Sequence, residues 1–267
     1  MRIHHLDCGS LRPLCARLSN GTGPWLRRGR LVCHCLLLET HGGLVLVDAG
    51  IGTADLGNLG MAFRLFAGPV YDPADTAVAR VAALGFRPED VTDIVVTHLD
   101  LDHAGGIADF PRARVHVDAG EHAAAVVAPS WRARLRYVRR QWGHGPRWET
   151  YGGAGEEWFG MAGTHRIRAL ADEVRLVPLS GHSPGHCGVA VRGDDGWILH
   201  CGDAYFHHGQ FAPEPRCPPG LAVFQWAIQW DARERRRSFD RLRAVPPEVR
   251  RFCAHDPAEF DVRAGPP

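Results

Sequence analysis

The stretch THLDLDHAGG at positions 97–106 constrains this chain more than any other. It places His98, Asp100, Asp102 and His103 within six positions and follows them with two glycines. Burying charged groups at that density costs several kcal/mol per ion unless they share a counter-charge. The preceding run, TDIVVTH (92–98), is short and β-branched, as a buried strand that stops at the cluster would be. The same residue types recur where later strands are expected to finish: His182 in SGHSPGH, Asp203 closing HCGD and His255 closing FCAHD. Any one of these alone reads as a cap, a turn former or a hydrogen-bonded histidine, and Asp102 alone could cap a helix opening at His103. Together they offer six or seven oxygen and imidazole donors. That is enough for two divalent ions sharing a carboxylate, with positions left for water.

The remaining elements follow from periodicity. LVCHCLLLE (31–39) and GLVLVDAG (43–50) read as strands joined by a short turn. PADTAVARVAALG (73–85) reads as a helix with an opening proline and a closing glycine. ARVHVD (113–118) alternates like a strand, and EHAAAVVA (121–128) is helix-like. WRARLRYVRRQW (131–142) sets Trp131, Leu135, Val138 and Trp142 on one helical face, with Arg132, Arg136, Arg139 and Arg140 falling away from it. The glycine- and aromatic-rich stretch 143–160 reads as irregular. EVRLVPL (173–179), CGVAVR (187–192), GWILHCGD (196–203) and VRRFCAHD (249–256) form a second strand series, and 231–244 is a helix with Asp231 as its N-cap. The expected architecture is α/β: two mixed sheets packed face to face with helices outside. It is one domain over 1–267 with a helical and aromatic insert around 129–170.

With 31 arginines, no lysine and 30 acidic residues, the formal charge is +1, which gives no global pull toward nucleic acid or an anionic membrane. The sixteen histidines favour metal work. The N-terminus lacks the apolar core of a signal peptide, and no apolar run reaches membrane-spanning length. Eight scattered cysteines, only Cys33 and Cys35 close together, fit reduced thiols and a cytoplasmic setting.

VDAG (47–50), THLDLDHAGG, GHSPGH (181–186), GDA (202–204) and AHD (254–256), in that order, make the chain resemble the metallo-β-lactamase-fold hydrolases. CHCLLLET, GFRPEDV and GHSPGH make it most similar to the quorum-quenching N-acyl-homoserine lactonases. The resemblance implies an αββα sandwich and two divalent ions, zinc first. His98, Asp100 and His182 would hold one ion and Asp102, His103 and His255 the other, with Asp203 bridging. His186 would stand behind the ligands. The implied reaction is attack of a metal-bridging hydroxide on a carbonyl, most simply opening a lactone ring, with Asp102 carrying the proton. Hydrolysis of a thioester or β-lactam is the alternative; a phosphodiesterase or a di-iron redox protein stands further off. The expected partner is a small-molecule substrate, with no nucleic acid and no membrane, and the expected assembly a monomer or homodimer.

Two departures stand out. The family's common pattern is H-x-H-x-D-H, so Asp100 replaces a histidine. With three ionised aspartates, two divalent ions and a bridging hydroxide, the formal charges cancel, where histidine would leave +1. A more neutral centre withdraws less charge from its water. A further hard oxygen ligand makes iron or manganese more competitive. The resembling lactonases also carry a tyrosine three residues after the bridging aspartate, and that position is Phe206 here. Tyr205 lies one residue earlier and is taken as the catalytic and substrate-contacting candidate, with Phe206, His207 and Trp142 as further substrate contacts. The insert from Trp131 to Phe159 is the candidate apolar wall.

Overall fold

The structure, a computed structural model, describes residues 1–57 and 61–264. Its strands form two six-stranded sheets, one from each half of the chain. The first takes β1 (Arg2–Asp7), β2 (His34–Thr40), β3 (Gly43–Val47), β4 (Val91–Val95), β5 (Arg114–Asp118) and β6 (Arg147–Tyr151) in that spatial order. It is antiparallel from β1 to β3 and parallel from β3 to β6. The second takes β7 (Glu156–Trp158), β8 (Met161–Arg166), β9 (Val174–Pro178), β10 (Cys187–Gly193), β11 (Gly196–His200) and β12 (Arg250–Phe252). It is antiparallel except for the parallel pair β11–β12.

Side chains alternate across a strand, and that period of two sorts the core into layers. Leu36, Leu38, Val45, Val47 and Val95 pack against Val174, Leu176, Val189, Val191 and Ile198 between the sheets. Leu37, Leu44, Leu46, Ile94 and Val115 face the other way, onto Ala77 and Val81 of the helix Ala77–Ala83 and onto Ala104 and Ile107. On the far side, Val177, Ala190 and Leu199 meet Leu242 and Val245 at the end of the helix Ala232–Ala244. β2 and β3 therefore read as nearly unbroken apolar runs because both faces are buried. Each fully buried leucine or valine contributes roughly 1.5–3 kcal/mol. Asp231 caps its helix as expected, accepting from the amides of Arg233 (2.8 Å) and Glu234 (2.9 Å). The architecture is the αββα sandwich.

Two expectations change. The stretch 143–160 is not irregular: it supplies β6, whose parallel register with β5 runs from Arg114 opposite Arg147 to Asp118 opposite Tyr151, and it supplies β7. Nor is 131–142 one helix. The helix Trp131–Arg136 stops at Tyr137, whose backbone is extended (φ −91°, ψ 139°), and a tighter turn follows over Arg139–Trp142. Trp131 and Leu135 consequently stay exposed while Trp142 is buried, and Arg136 turns inward.

Candidate metal centre

His98, Asp100, Asp102 and His103 follow β4, the last two on the single helical turn Leu101–Ala104. His182 lies in the loop after β9, Asp203 follows β11 and His255 follows β12. All seven side chains converge where these strands end. The Oδ2 atom of Asp203 faces one group: His182 Nε2 is 3.4 Å away and His98 Nε2 3.9 Å. Asp100 Oδ2 completes that group, 3.0 Å from His182 Nε2 and 3.3 Å from His98 Nε2. Asp203 Oδ1 faces the other, 3.1 Å from His255 Nε2 and 3.3 Å from His103 Nε2. Asp102 stands 3.6 Å from His255 and 3.9 Å from His103.

These separations test whether ions fit. Donors about 2.0–2.1 Å from a tetrahedral ion lie roughly 3.4 Å from one another. Both groups match that spacing. The buried Nε2 atoms of His98 and His103 and Oδ1 of Asp203 have no hydrogen-bond partner among the described residues. Leaving such atoms unpaired costs about 1–3 kcal/mol each. Shared cations would remove that cost, and the donor set of imidazoles and carboxylates is the one divalent transition metals take.

The histidine tautomers agree. His103 Nδ1 donates to Asp48 Oδ2 (2.8 Å) and His255 Nδ1 donates to the Val32 carbonyl (2.7 Å). Neither acceptor can donate, so each Nε2 keeps its lone pair for the site. The Thr97 hydroxyl donates to Asp48 Oδ2 (2.8 Å) and so accepts from His98 Nδ1 (3.0 Å), which frees His98 Nε2 in the same way. His186 stands behind the candidate ligands: its Nδ1 donates to the Leu179 carbonyl, and its Nε2 accepts the Asp203 amide (2.9 Å). Gly202, at φ +52°, permits that contact, because a Cβ there would meet His186 Nε2 at 2.6 Å. Gly105 and Gly106 allow close backbone approach to the 49–52 loop rather than to the ligands, since Cβ atoms there would meet the Gly52 amide and the Ala49 carbonyl.

Sequence reasoning missed several residues that hold this arrangement. Asp48, at φ +56°, accepts from Thr97 and His103. Glu121 joins the two loops that carry candidate ligands: it accepts from the Leu99 amide, the Tyr137 hydroxyl, the Ser183 hydroxyl and the Gly185 amide. Cys33 lies within reach of Asp102 and His255, its thiol pushed up by burial first and by Asp102 next. The only signals were VDAG for Asp48 and the C-H-C spacing for Cys33, and neither pointed to a ligand cluster.

Arg136 is the largest omission. Its Nε and Nη2 donate to Asp100 Oδ1 and Oδ2, both at 2.6 Å, and its Nη1 donates to the Ile228 carbonyl (2.7 Å). Burial pushes the Asp100 carboxyl up, but the Arg136 guanidinium and then His98 overcome it and hold it well below the carboxylate range. Asp102 goes the other way: burial raises it, and His103 and His255 only partly offset the rise.

Two apolar cavities, of about 500 and 590 Å³, open beside the cluster, and both are lined by Asp102, His255, Val223 and Phe224. Phe206 walls the first and stacks on His255 at 5.4 Å and 12°. Leu135, Arg132 and Arg136 wall the second. The other substrate candidates lie elsewhere. Tyr205 is fully buried in the loop after β11, its hydroxyl bound to Glu259 (2.9 and 3.1 Å) among the outer-layer side chains, whereas its neighbour Phe206 lines the cavity. Trp142 packs in the core behind the first sheet, and His207 faces a surface cleft with His208 and Asp256.

The fold and the cluster define a class: a two-sheet sandwich with a metal-type His/Asp centre at the shared strand ends. The model of the Metallo-beta-lactamase superfamily matches residues 28–255, and the chain belongs to that superfamily. A probable metallo-hydrolase of Mycobacterium tuberculosis is 40% identical, over 98% of this chain and 82% of the relative. The N-acyl homoserine lactonase AttM of Rhizobium radiobacter is 32% identical over 58% of each. Among solved structures, an N-acyl homoserine lactone hydrolase with N-hexanoyl-L-homoserine bound at its metal center superposes with a TM-score of 0.72. It is 23% identical, over 97% of this chain and 95% of that one. The protein is a hydrolase of the metallo-β-lactamase fold, and divalent metal binding comes with that fold.

Proposed function

We propose that this protein is a dinuclear metal-dependent hydrolase that opens a lactone ring carrying an apolar acyl chain. One observation carries the reading: two donor groups share Asp203 and stand beside apolar cavities into which Asp102 projects. His98, Asp100 and His182 would hold the first ion, Asp102, His103 and His255 the second, and Asp203 both. Zinc is the first choice, with iron or manganese favoured relative to an all-histidine site by Asp100. When bound, such a pair supplies an activated water and Lewis acidity toward the carbonyl oxygen.

This chain's own residues do the rest. Phe206, Val223 and Phe224 present an apolar wall that takes the acyl chain and excludes water from the reacting carbonyl. Asp102, which lines both cavities, is the group placed to relay the proton of the activated water to the departing ring oxygen. The likeness to AttM, though partial, supports a lactone over other acyl compounds. A single domain over 1–267 with an insert around 129–170, and a small-molecule substrate, complete the reading.

The test is a substrate panel of N-acyl-homoserine lactones with short and long chains, a thioester, a β-lactam and a phosphodiester, with metal content measured on the same preparation. Two ions per chain and preferential lactone turnover are expected. Turnover confined to the phosphodiester would overturn the reading, as would one ion per chain in fully active protein.

A further inference from the structure

We propose that Asp100 and Arg136 act as one unit: a carboxylate donor whose charge is cancelled by a buried guanidinium. Position 100 then offers the first ion an oxygen at no net charge. The inference rests on the two-ion reading and goes on to ask what sets the charge of that site.

Arg136 is built into place. Its side chain is 13% exposed and that of Asp100 16%, and the two meet through a planar two-bond fork with both contacts at 2.6 Å. Bidentate pairing of this kind fixes orientation as well as charge. The helix break at Tyr137 turns the arginine inward, and the Ile228 carbonyl at the end of the helix Pro219–Ile228 holds its Nη1. Nη2 also lies 2.7 Å from His182 Nε2. The guanidinium thus contacts two of the three donors of this group, and His98 Nε2 is the one left without a hydrogen-bond partner among the described residues.

A fixed cation beside a cation site opposes loading by simple repulsion. It is tolerable only where an anion is dedicated to it, and Asp100 is that anion. The pair therefore keeps an oxygen donor without adding a net negative charge to Asp102 and Asp203. Arg136 is in these terms a positioning residue: it acts on the metal through Asp100. Histidine at position 100 would leave the guanidinium unpaired and facing the ion.

The experiment compares wild type, Asp100→His, Arg136→Met and the double variant. Ions per chain are counted after dialysis, the affinities of both ions are measured by competition with a chromophoric chelator, and melting of each metal-free protein is followed. Asp100→His should bind one of its two ions at least about tenfold less tightly, and adding Arg136→Met should restore it to within about threefold of wild type. The inference fails if Asp100→His binds as tightly as the double variant, since the arginine's charge would then not matter. It also fails if Arg136→Met gains an ion that wild type lacks, because the guanidinium would then be competing for the site. Wild type that takes up no ion from added zinc or manganese would sink the two-ion reading instead. Should Asp100→His not fold, Asp100→Asn with and without Arg136→Gln makes the same comparison with the side-chain oxygen kept.

Discussion

Asp48 and His103 are 55 positions apart in the chain and 2.8 Å apart in space. That distance explains what could be read at the level of residues. His98, Asp100, Asp102 and His103 were legible because their spacing is local and four polar groups in six positions have few other uses. Asp48, Glu121 and Arg136 were not, because each is a single ordinary polar residue whose partner arrives from another loop. Asp48→Asn should cost about 10–100-fold in affinity for the ion served by His103, since an amide holds the imidazole less firmly; chelator competition measures it. Tyr205 was misread for the opposite reason. A tyrosine beside the bridging aspartate invites a catalytic role, but its hydroxyl is spent on Glu259. Tyr205→Phe should leave kcat/KM within about twofold and lower unfolding stability by about 1 kcal/mol in urea titrations.

At the level of elements, the apolar runs announced the strands well, because strands buried on both faces leave unbroken hydrophobic stretches. Breaks were harder. Nothing local in RLRYVRR marks Tyr137 as the point where helix gives way, and the consequence, an arginine turned inward, is purely tertiary. β6 was invisible for a related reason: three of its five residues are exposed, and its pairing with β5 is what makes it a strand. The β1–β2 pair carries a pH dependence. His5 Nδ1 lies 2.8 Å from His34 Nε2, and burial, helped by Arg263 and His200, lowers the His5 pKa to about 4. The unfolded chain takes up this proton first. The contribution of His5 is therefore complete above the usual imidazole value of 6.5 and is lost as pH falls toward 4. His5→Leu should flatten that part of the curve of denaturation midpoint against pH; an unchanged slope would mean that His5 does not report on folding.

For the whole molecule, metal and fold are linked. Ions that bind only the folded chain stabilise it by about 4 kcal/mol at a thousand times Kd. Stripping them with a chelator should lower the melting temperature by roughly 10 °C in a chain of this size, and calorimetry of stripped and reloaded protein would show it. The order of the strands gives this linkage a further consequence. Every described strand through Tyr151 belongs to the first sheet, every described strand from Glu156 onward to the second, and exposed glycines at 152, 153 and 155 lie between them. His98, Asp100, Asp102 and His103 travel with one piece, while His182, Asp203 and His255 travel with the other. A protease nick at Gly153 would leave two fragments, neither holding a full ligand set. The ions would then act as solder, keeping the nicked halves together on a sizing column until a chelator lets them part.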